Sequence, residues 1–534
     1  MPEEESSMFW ADQYAEQVIA RIDNKKKAAV CRSGQSPSGP KHIGNICDNV
    51  RSYMVTRALN EKGQKAMHVQ THDDRDPIRK IPPKVADLDG NWKELSEKEI
   101  KALEKYRGFA YTDAPDPFGC CKSWGEHFSK LFENGCKLIG LKTEYWSHTA
   151  MYKRGDFDPY IHKALENIEK SREVIMRFQQ TKDPTYIPFD AVCENCGKII
   201  GKAVDFDVGA QTVDYVCETK SLAGEYEIKG CGHRGTTDFH GGKLPWRFEW
   251  PADWGIAHAE LEPVGKEHAE GSWPSGEAIA REVYGIEPVI PLFNEFFLVN
   301  GAKMATRQGN AYIAHDIMKI LEPEPFKYFY TKKPTKQRDF SVIEIFRLDD
   351  DFINSEDAYF GGSEDASERR AYETCMEPVP KAKPENVRYG VCANTIQVTN
   401  GNVDRAIEIL KKTGHVKKDE ERARRKLALA WTWVKNYAPE QYKFVVQEKM
   451  PSVKSIPGVR EILNMAAGKI EAGADGEELQ NFIYNTSKDK GVPLKEVFAT
   501  AYQLILGKER GPRLGPFLAS LDPDFAANRL RMLK

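Results

Sequence analysis

The stretch from Ala28 to Gln70 constrains the fold more than any other part of the chain. Ala28 to Arg32 is a short apolar run, and Ser33-Gly34-Gln35-Ser36-Pro37-Ser38-Gly39-Pro40 is rich in turn formers. Ile46, Val50, Tyr53 and Met54 follow at helical spacing, Gly63 supplies a helix stop, and Ala66 to Gln70 reads as a second strand. Strand, glycine-bearing loop, helix and strand in that order begin a parallel α/β sheet, because a helical crossover returns the chain to run the same way.

The α/β rhythm is interrupted rather than continuous. Residues 82 to about 112 are polar and read as a helical or loop excursion. From Asp113 to Gly242 the rhythm breaks, with a helix on Trp124, Phe128, Leu131 and Phe132, a long helix around 158 to 180, and a cysteine-rich segment. It resumes at Lys243 with a Trp-rich stretch, a helix ending near Gly285 and a strand-like run from Val289 to Val299. An insertion inside one α/β domain accounts for this order. Beyond about residue 320 strand alternation fades and amphipathic helices dominate: 406–412, 422–437, 459–472, 477–486 and 494–507.

Composition narrows the class without naming it. With 534 residues, two to four domains are expected, and 40% apolar with 29% charged residues excludes disordered, collagen-like and coiled-coil chains. Lys and Arg total 77 against 80 Asp and Glu, a net charge of -3, so any surface for nucleic acid must be local. No run approaches the roughly 18 apolar residues of a membrane helix. The opening MPEEESSMFWADQ lacks the basic-then-apolar order of a signal peptide, which leads us to expect a cytoplasmic protein with no membrane partner. The 11 cysteines are clustered and odd in number, favouring thiols and metal ligands over disulfides.

Two loops carry the chemistry. Ser36 to Asn45 sits between a strand and a helix, where glycines admit a ligand and the helix start offers free N–H groups to an anion. His42 can donate to a phosphate oxygen without a permanent charge, and Asn45 can do likewise. Read locally, the same stretch is equally a tight turn with a capping residue. Val299 to Asn310 follows a strand, turns at Asn300-Gly301, and presents Lys303 and Arg307, which suits clamping phosphates; alone it would be a solvated hairpin.

Together these loops resemble the HIGH and KMSKS signatures of class I aminoacyl-tRNA synthetases, and more closely those of class I lysyl-tRNA synthetase. Further stretches carry the likeness: Thr71 to Pro82 (THDDRDPIRKIP), Pro115-Asp116-Pro117-Phe118-Gly119, Lys243-Leu244-Pro245-Trp246-Arg247, Glu262 to His268 (EPVGKEH) and Gly511-Pro512-Arg513-Leu514-Gly515. They run in unbroken order over essentially the whole chain. The resemblance implies an α/β Rossmann-like class I synthetase catalytic domain with a zinc-containing insertion, followed by a mostly α-helical C-terminal anticodon-binding region. Residues 1–112 and 243–320 would be the catalytic halves, and 113–242 the insertion on the acceptor-stem side. Residues 321–390 would form a connecting stem-contact domain and 391–534 the anticodon-binding domain.

The implied reaction is ATP-dependent ligation of L-lysine to tRNA(Lys) through lysyl-adenylate, with Mg²⁺ and Zn²⁺ as metals and a monomeric enzyme. By the same resemblance His42, Asn45, Lys303 and Arg307 make the catalytic contacts. Pro37, Gly39, Gly44 and Met304 join His42, Asn45 and Lys303 around ATP. Gly34, Ser36, Trp246 and His268 fall at amino-acid positions. A lysine pocket also needs an acceptor for the ε-ammonium and walls for the stem. Asp73, Asp74 and Glu295 are the candidate acceptors, Asp74 first, with Trp246 as a wall. Two departures from the family pattern stand out: Gln308 replaces a lysine, leaving only Arg307 to supply that charge, and Asn294-Glu295 stands where a Tyr-Glu pair is usual. They keep open a non-catalytic tRNA-binding paralogue, or the same chemistry on another amino acid.

Cys193 and Cys196 are spaced i, i+3 around a glycine turn, and Cys217 and Cys231 come from a second arm, so a closed tetrahedral zinc site is expected. His233 competes with Cys231 for the fourth position. Asp116, Cys120, Cys121 and His127 form a second cluster, read either as a helix start with a capping Asp and ordinary thiols or, by the resemblance, as a second zinc site. In the helical half, the basic run His415 to Lys426 leads into Trp431 and Trp433. It reads as a solvated face and core pair, with RNA contact implied only by the resemblance.

Overall fold

The computed structural model describes residues 8–22, 27–180, 183–221, 227–304, 311–447, 449 and 453–533. The loop positions Ala305 to Asn310, including Arg307 and Gln308, lie outside the described residues. The chain divides into two compact units, one of residues 1–316 with 330–340, the other of 317–329 with 341–534. The boundary read at 320/321 thus does not cut the chain cleanly.

The first unit is built on a five-stranded parallel sheet of β1 (Ala29–Gln35), β2 (Ala66–His72), β3 (Glu144–Ser147), β4 (Ala259–Gly265) and β5 (Ile290–Asn294), in the order β5-β4-β1-β2-β3. The chain winds outward from β1 to β3, then returns to the other side of β1 for β4 and β5. Such a reversal leaves a crevice at the carboxyl ends of the central strands. Helix α1 (Ile43–Glu61) connects β1 to β2 and buries Ile46, Val50, Tyr53 and Met54, the residues its periodicity singles out.

Four sequence expectations are corrected. The segment from Asp113 to Ser147 is part of the α/β domain, since α2 (Trp124–Ile139) leads into β3 at the sheet edge. β3 is four residues long and half-exposed, too short to show periodicity. The long helix around 158–180 is two helices, Asp158–Glu166 and Ile168–Phe178, broken where Asn167 leaves helical geometry. Part of the 82–112 excursion is a hairpin, Lys84–Ala86 with Trp92–Glu94. The run 289–299 splits at Glu295-Phe296. β5 stays in the parallel sheet, whereas β6 (Phe297–Val299) joins β7 (Ala302–Lys303) and β8 (Arg338–Phe340) in a separate three-stranded sheet.

The cysteine-rich segment forms its own five-stranded antiparallel sheet, from Asp190–Val192 through Ile199–Asp207, Thr212–Cys217 and Arg234–Asp238 to Gly242–Lys243. The last strand hands the chain to α3 (Trp246–Ala257), which precedes β4. Under the sheet, Trp250, Trp254 and Trp273 pack with Val30, Val69 and Val264.

The second unit is almost wholly helical. Ile345–Phe360, Ala366–Cys375, Tyr389–Val398, Val403–Lys412 and Glu420–Asn436 precede Val459–Glu471, Gly476–Asp489 and Leu494–Leu506, which share one core with the two short C-terminal helices. Trp433 is buried and donates to the Val342 carbonyl, as expected of a core residue, whereas Trp431 is only half-buried. No helix among the described residues is long and apolar enough to cross a membrane.

Candidate active site

A cavity of about 450 Å³ lies at the carboxyl ends of β1, β4 and β5, within the range usual for small-molecule sites. The two predicted loops meet here. Gly34, Ser36, His42, Gly44 and Asn45 line it from the first loop, and Lys303 and Met304 from the second. A Cβ on Gly44 would come within 2.7 Å of the Met304 methyl and 3.0 Å of the His42 ring, so only glycine lets them close on one another. The start of α1 is pinned from both sides. The Ile43 N–H donates to the Tyr312 carbonyl at 2.8 Å, and Tyr330 Oη donates to the Ile43 carbonyl at 2.8 Å.

Burial, with Lys41 alongside, pushes the His42 imidazole down to about 4, leaving a neutral ring at working pH. Its Nδ1 is buried without a hydrogen-bond partner, the state of a donor or acceptor built to meet something else. Lys41, which sequence reasoning passed over, lines the cavity with its amine pushed down to about 8 by burial against the opposing pull of Asp73 and Asp76. Lys303 Nζ lies 4.6 Å from the centre of the Phe296 ring, a cation–π contact that holds the amine over the cavity mouth.

One wall is aromatic. Trp246 stacks on Trp250 at 4.9 Å, and His268 packs against both rings at 5.4 and 5.7 Å while its Nδ1 meets Ser272 Oγ at 2.9 Å. Glu295 also lines the cavity and pairs with Lys266 at 2.8 Å. Asn294, where the family carries a ring, bridges two buried charges. Its amide donates to Asp48 Oδ1 at 2.6 Å, and its carbonyl accepts from Arg51 Nη1 at 2.5 Å.

Three expected residues do not face the cavity. Asp74 accepts from Ser147 Oγ and the Thr149 N–H at 2.5 and 2.8 Å, because alternation at the end of β2 turns Asp73 inward and Asp74 away. Pro37 offers its carbonyl to Trp124 Nε1 at 3.0 Å, and Gly39 packs on Pro82 with a φ of +150°.

The floor is a buried charge network that sequence reasoning missed. Arg32, 1% exposed, donates to Asp253, to Glu262 at 2.6 Å and to Thr71 at 2.6 Å. Lys243 pairs with Asp76 and, at 2.7 Å, with Glu249, whose other oxygen accepts from Tyr152 Oη at 2.7 Å. Trp250 and Trp254 donate their indole N–H groups to Glu262 at 3.0 and 2.7 Å. Burial holds Glu249 and Glu262 above the usual carboxylate range. For Asp253 the neighbouring Arg32 and His148 outweigh burial and hold it below that range. The available signal was Glu249 and Asp253 at i, i+4 on a helix otherwise full of tryptophan, where acids have no reason to be unless they face a site.

Away from the cavity, Cys193, Cys196, Cys217 and Cys231 bring one sulfur each within 4.8 Å of the others. Four thiols at that spacing, with Gly197 and Gly232 in left-handed turns beside them, fit a tetrahedral soft-metal site. His233 pairs with Glu194 at 2.7 Å, so Cys231 is the fourth member. Asp116, Cys120, Cys121 and His127 also converge within that distance. His127 Nε2 lies 3.0 Å from the Ala86 carbonyl, leaving Nδ1 to face Cys120 Sγ at 3.3 Å. Asp116 accepts from the Phe118, Cys120 and Cys121 N–H groups. The helix cap itself is Ser123, not Asp116.

A parallel sheet with its crevice at the direction switch, a histidine loop opened by Gly44, and Lys303 and Met304 beside it are the parts of an enzyme class that activates a carboxylate with a nucleotide. The family described as tRNA synthetases class I (K) matches residues 8–377, and the chain belongs to it. It is similar to the lysine–tRNA ligase of Natronomonas pharaonis, at 38% identity over 99% of this chain and 98% of the relative. The Haloarcula marismortui lysine–tRNA ligase is 38% identical over 98% and 97% of the two chains. That of Pyrococcus horikoshii is 33% identical over 98% and 99%.

Proposed function

We propose that this chain joins lysine to its tRNA in two steps. A lysine carboxylate oxygen attacks the α-phosphate of ATP, releasing pyrophosphate and leaving lysyl-adenylate; the 2′-hydroxyl of the terminal adenosine then attacks the lysyl carbonyl and AMP departs. The observation that carries this reading is the meeting of Gly44, His42 and Met304 over an acid-floored cavity. Little covalent work falls to the protein, which must align the carboxylate with phosphorus and neutralise the leaving pyrophosphate. Neutral His42 and Asn45 suit donation to phosphate, and Lys303 suits the departing charge; Mg²⁺ arrives with ATP and shares that charge. Trp246 and His268 would flank the amino acid, with Asp73 rather than Asp74 receiving its ammonium. Arg307 would take the charge that Gln308 lacks.

The four-cysteine cluster would hold a structural zinc, since its thiols leave no open position. The helical unit would carry the anticodon contacts. The test is tRNA charging with each of the twenty amino acids, ATP, Mg²⁺ and total tRNA. Lysine alone being attached is the expected outcome; another amino acid would overturn the substrate, and tRNA binding without charging would overturn the catalysis.

A further inference from the structure

The buried network holds more carboxylates than fixed cations, and a histidine sits among the acids in excess. Five carboxylates, of Asp73, Asp76, Glu249, Asp253 and Glu262, meet the two fixed cations Arg32 and Lys243, which already serve four of them. Asp73 is left over. Beside it lies His148, 1% exposed, the first residue of the helix His148–Arg154. Its Nε2 is 2.9 Å from Asp253 Oδ2 and 3.6 Å from Asp73 Oδ1, and its Nδ1 is 3.8 Å from Glu249 Oε2. Neither nitrogen makes an aligned hydrogen bond, so the ring is held among acids by charge rather than by a directed contact. Its other close neighbour is the Phe157 ring, set edge-on at 5.4 Å. Among the described residues its ion-pair partners are all acids; Arg32 and Lys243 pair with Asp253 and Glu249, and Lys41 pulls on Asp73 and Asp76 from the cavity side.

Both Asp73 and His148 line the cavity along with Trp246 and Gly34. A ligand ammonium reaching the floor therefore meets a seat already occupied by a tethered cation. The geometry points to proton exchange: the substrate's ammonium enters against Asp73, the Asp73–His148–Asp253 cluster gives up one proton to solvent, and His148 is thereby a specificity-determining residue that stands in for the ammonium when the site is empty. The ammonium itself stays protonated, so one charge replaces another and the net charge of the buried cluster is unchanged. Burial beside Asp76, Asp253 and Glu249 holds Asp73 up at about 7, and Asp253, Glu249 and Asp73 overcome burial to hold His148 up at about 10, so the cluster carries protons to lose at neutral pH. A side chain of the same length without charge has nothing to exchange, and lysine affinity should rise with pH as the competing proton leaves.

This inference rests on the lysine reading, and the experiment separates the two. Lysine is titrated calorimetrically into the full chain at pH 7.5 in phosphate and in Tris, whose ionisation heats differ. The expected result is release of between half and one proton per lysine bound, with apparent affinity rising about 10- to 100-fold between pH 6.5 and 8.5, as linkage requires of that release. Norleucine should release none. Histidine ring resonances in the unaltered protein provide a readout that needs no variant, one ring moving toward its neutral form when lysine binds. In His148→Asn, proton release should fall by at least half and the pH dependence should flatten. Lysine binding with equal heats in the two buffers, or undiminished release in His148→Asn, overturns the exchange. Absence of lysine binding together with absence of lysine-dependent pyrophosphate exchange overturns the lysine reading instead.

Discussion

Asn294, in the cavity wall, joins Asp48 to Arg51, which also donates to the Tyr330 and Lys332 carbonyls. Its amide satisfies Asp48 on one side and Arg51 on the other, while Arg51 also rests on the Trp10 and Phe297 rings at 5.8 and 5.5 Å. Truncation in Asn294→Ala removes both hydrogen bonds at the cavity wall, a loss of about 1–2 kcal/mol by denaturant unfolding. Where the family pattern has a tyrosine, the asparagine here has its local structural partners in Asp48 and Arg51. Burial pushes the Asp48 carboxyl up to about 7 despite Asn294 and Arg51. A carboxyl raised on folding binds its proton more tightly in the native state, so its contribution is full below about pH 4 and is lost as pH rises toward 7. Asp48→Asn should make the decline of melting temperature across that window shallower; an unchanged slope would show that Asp48 ionises as it does in the unfolded chain.

Among the elements, the cysteine-bearing sheet combines a buried core on Phe189, Ile200, Val213 and Tyr215 with the four converging thiols. Its strand Arg234–Asp238 is largely exposed, and its turns are held at the four sulfurs. Cys217→Ser is expected to lose one zinc per chain by elemental analysis and to open residues 190–240 to protease, because structural metal binding contributes several kcal/mol of folding free energy. Intact zinc content with intact protease resistance would count against Cys217 as a ligand, and unaltered protein free of zinc would count against the metal. This cluster was readable from spacing alone, as was the β1–α1–β2 unit, because thiol pairs and apolar periodicity are local signals. β3 was not readable, being four residues at a sheet edge, nor was the break at Glu295-Phe296, where a mostly apolar run interrupted only by Asn294-Glu295 feeds two sheets. The charge floor was hidden for another reason. Arg32 and Glu262 look like surface residues until the fold shows them buried and paired, and Glu249 and Asp253 signal only that their helix faces a site, not which charges they meet.

At the scale of the molecule, two separate cores predict two calorimetric transitions. Lys426 is 1% exposed in the helical unit and donates to both oxygens of Asp349 at 2.8 and 3.0 Å and to Asn386 at 2.8 Å. Lys426→Met leaves Asp349 buried and uncompensated, which should cost about 3–5 kcal/mol and lower one transition while the other stays put. Equal shifts in both would mean that the units unfold as one. The chain also crosses between the units three times, after residues 316, 329 and 340. β8, which pairs with the strand leading to Lys303, is therefore written in the gene only after a stretch that belongs to the other unit. No single cut in the coding sequence separates the two, and an ancestor that exchanged its helical half by recombination had to keep residues 330–340 with the first half or rebuild them.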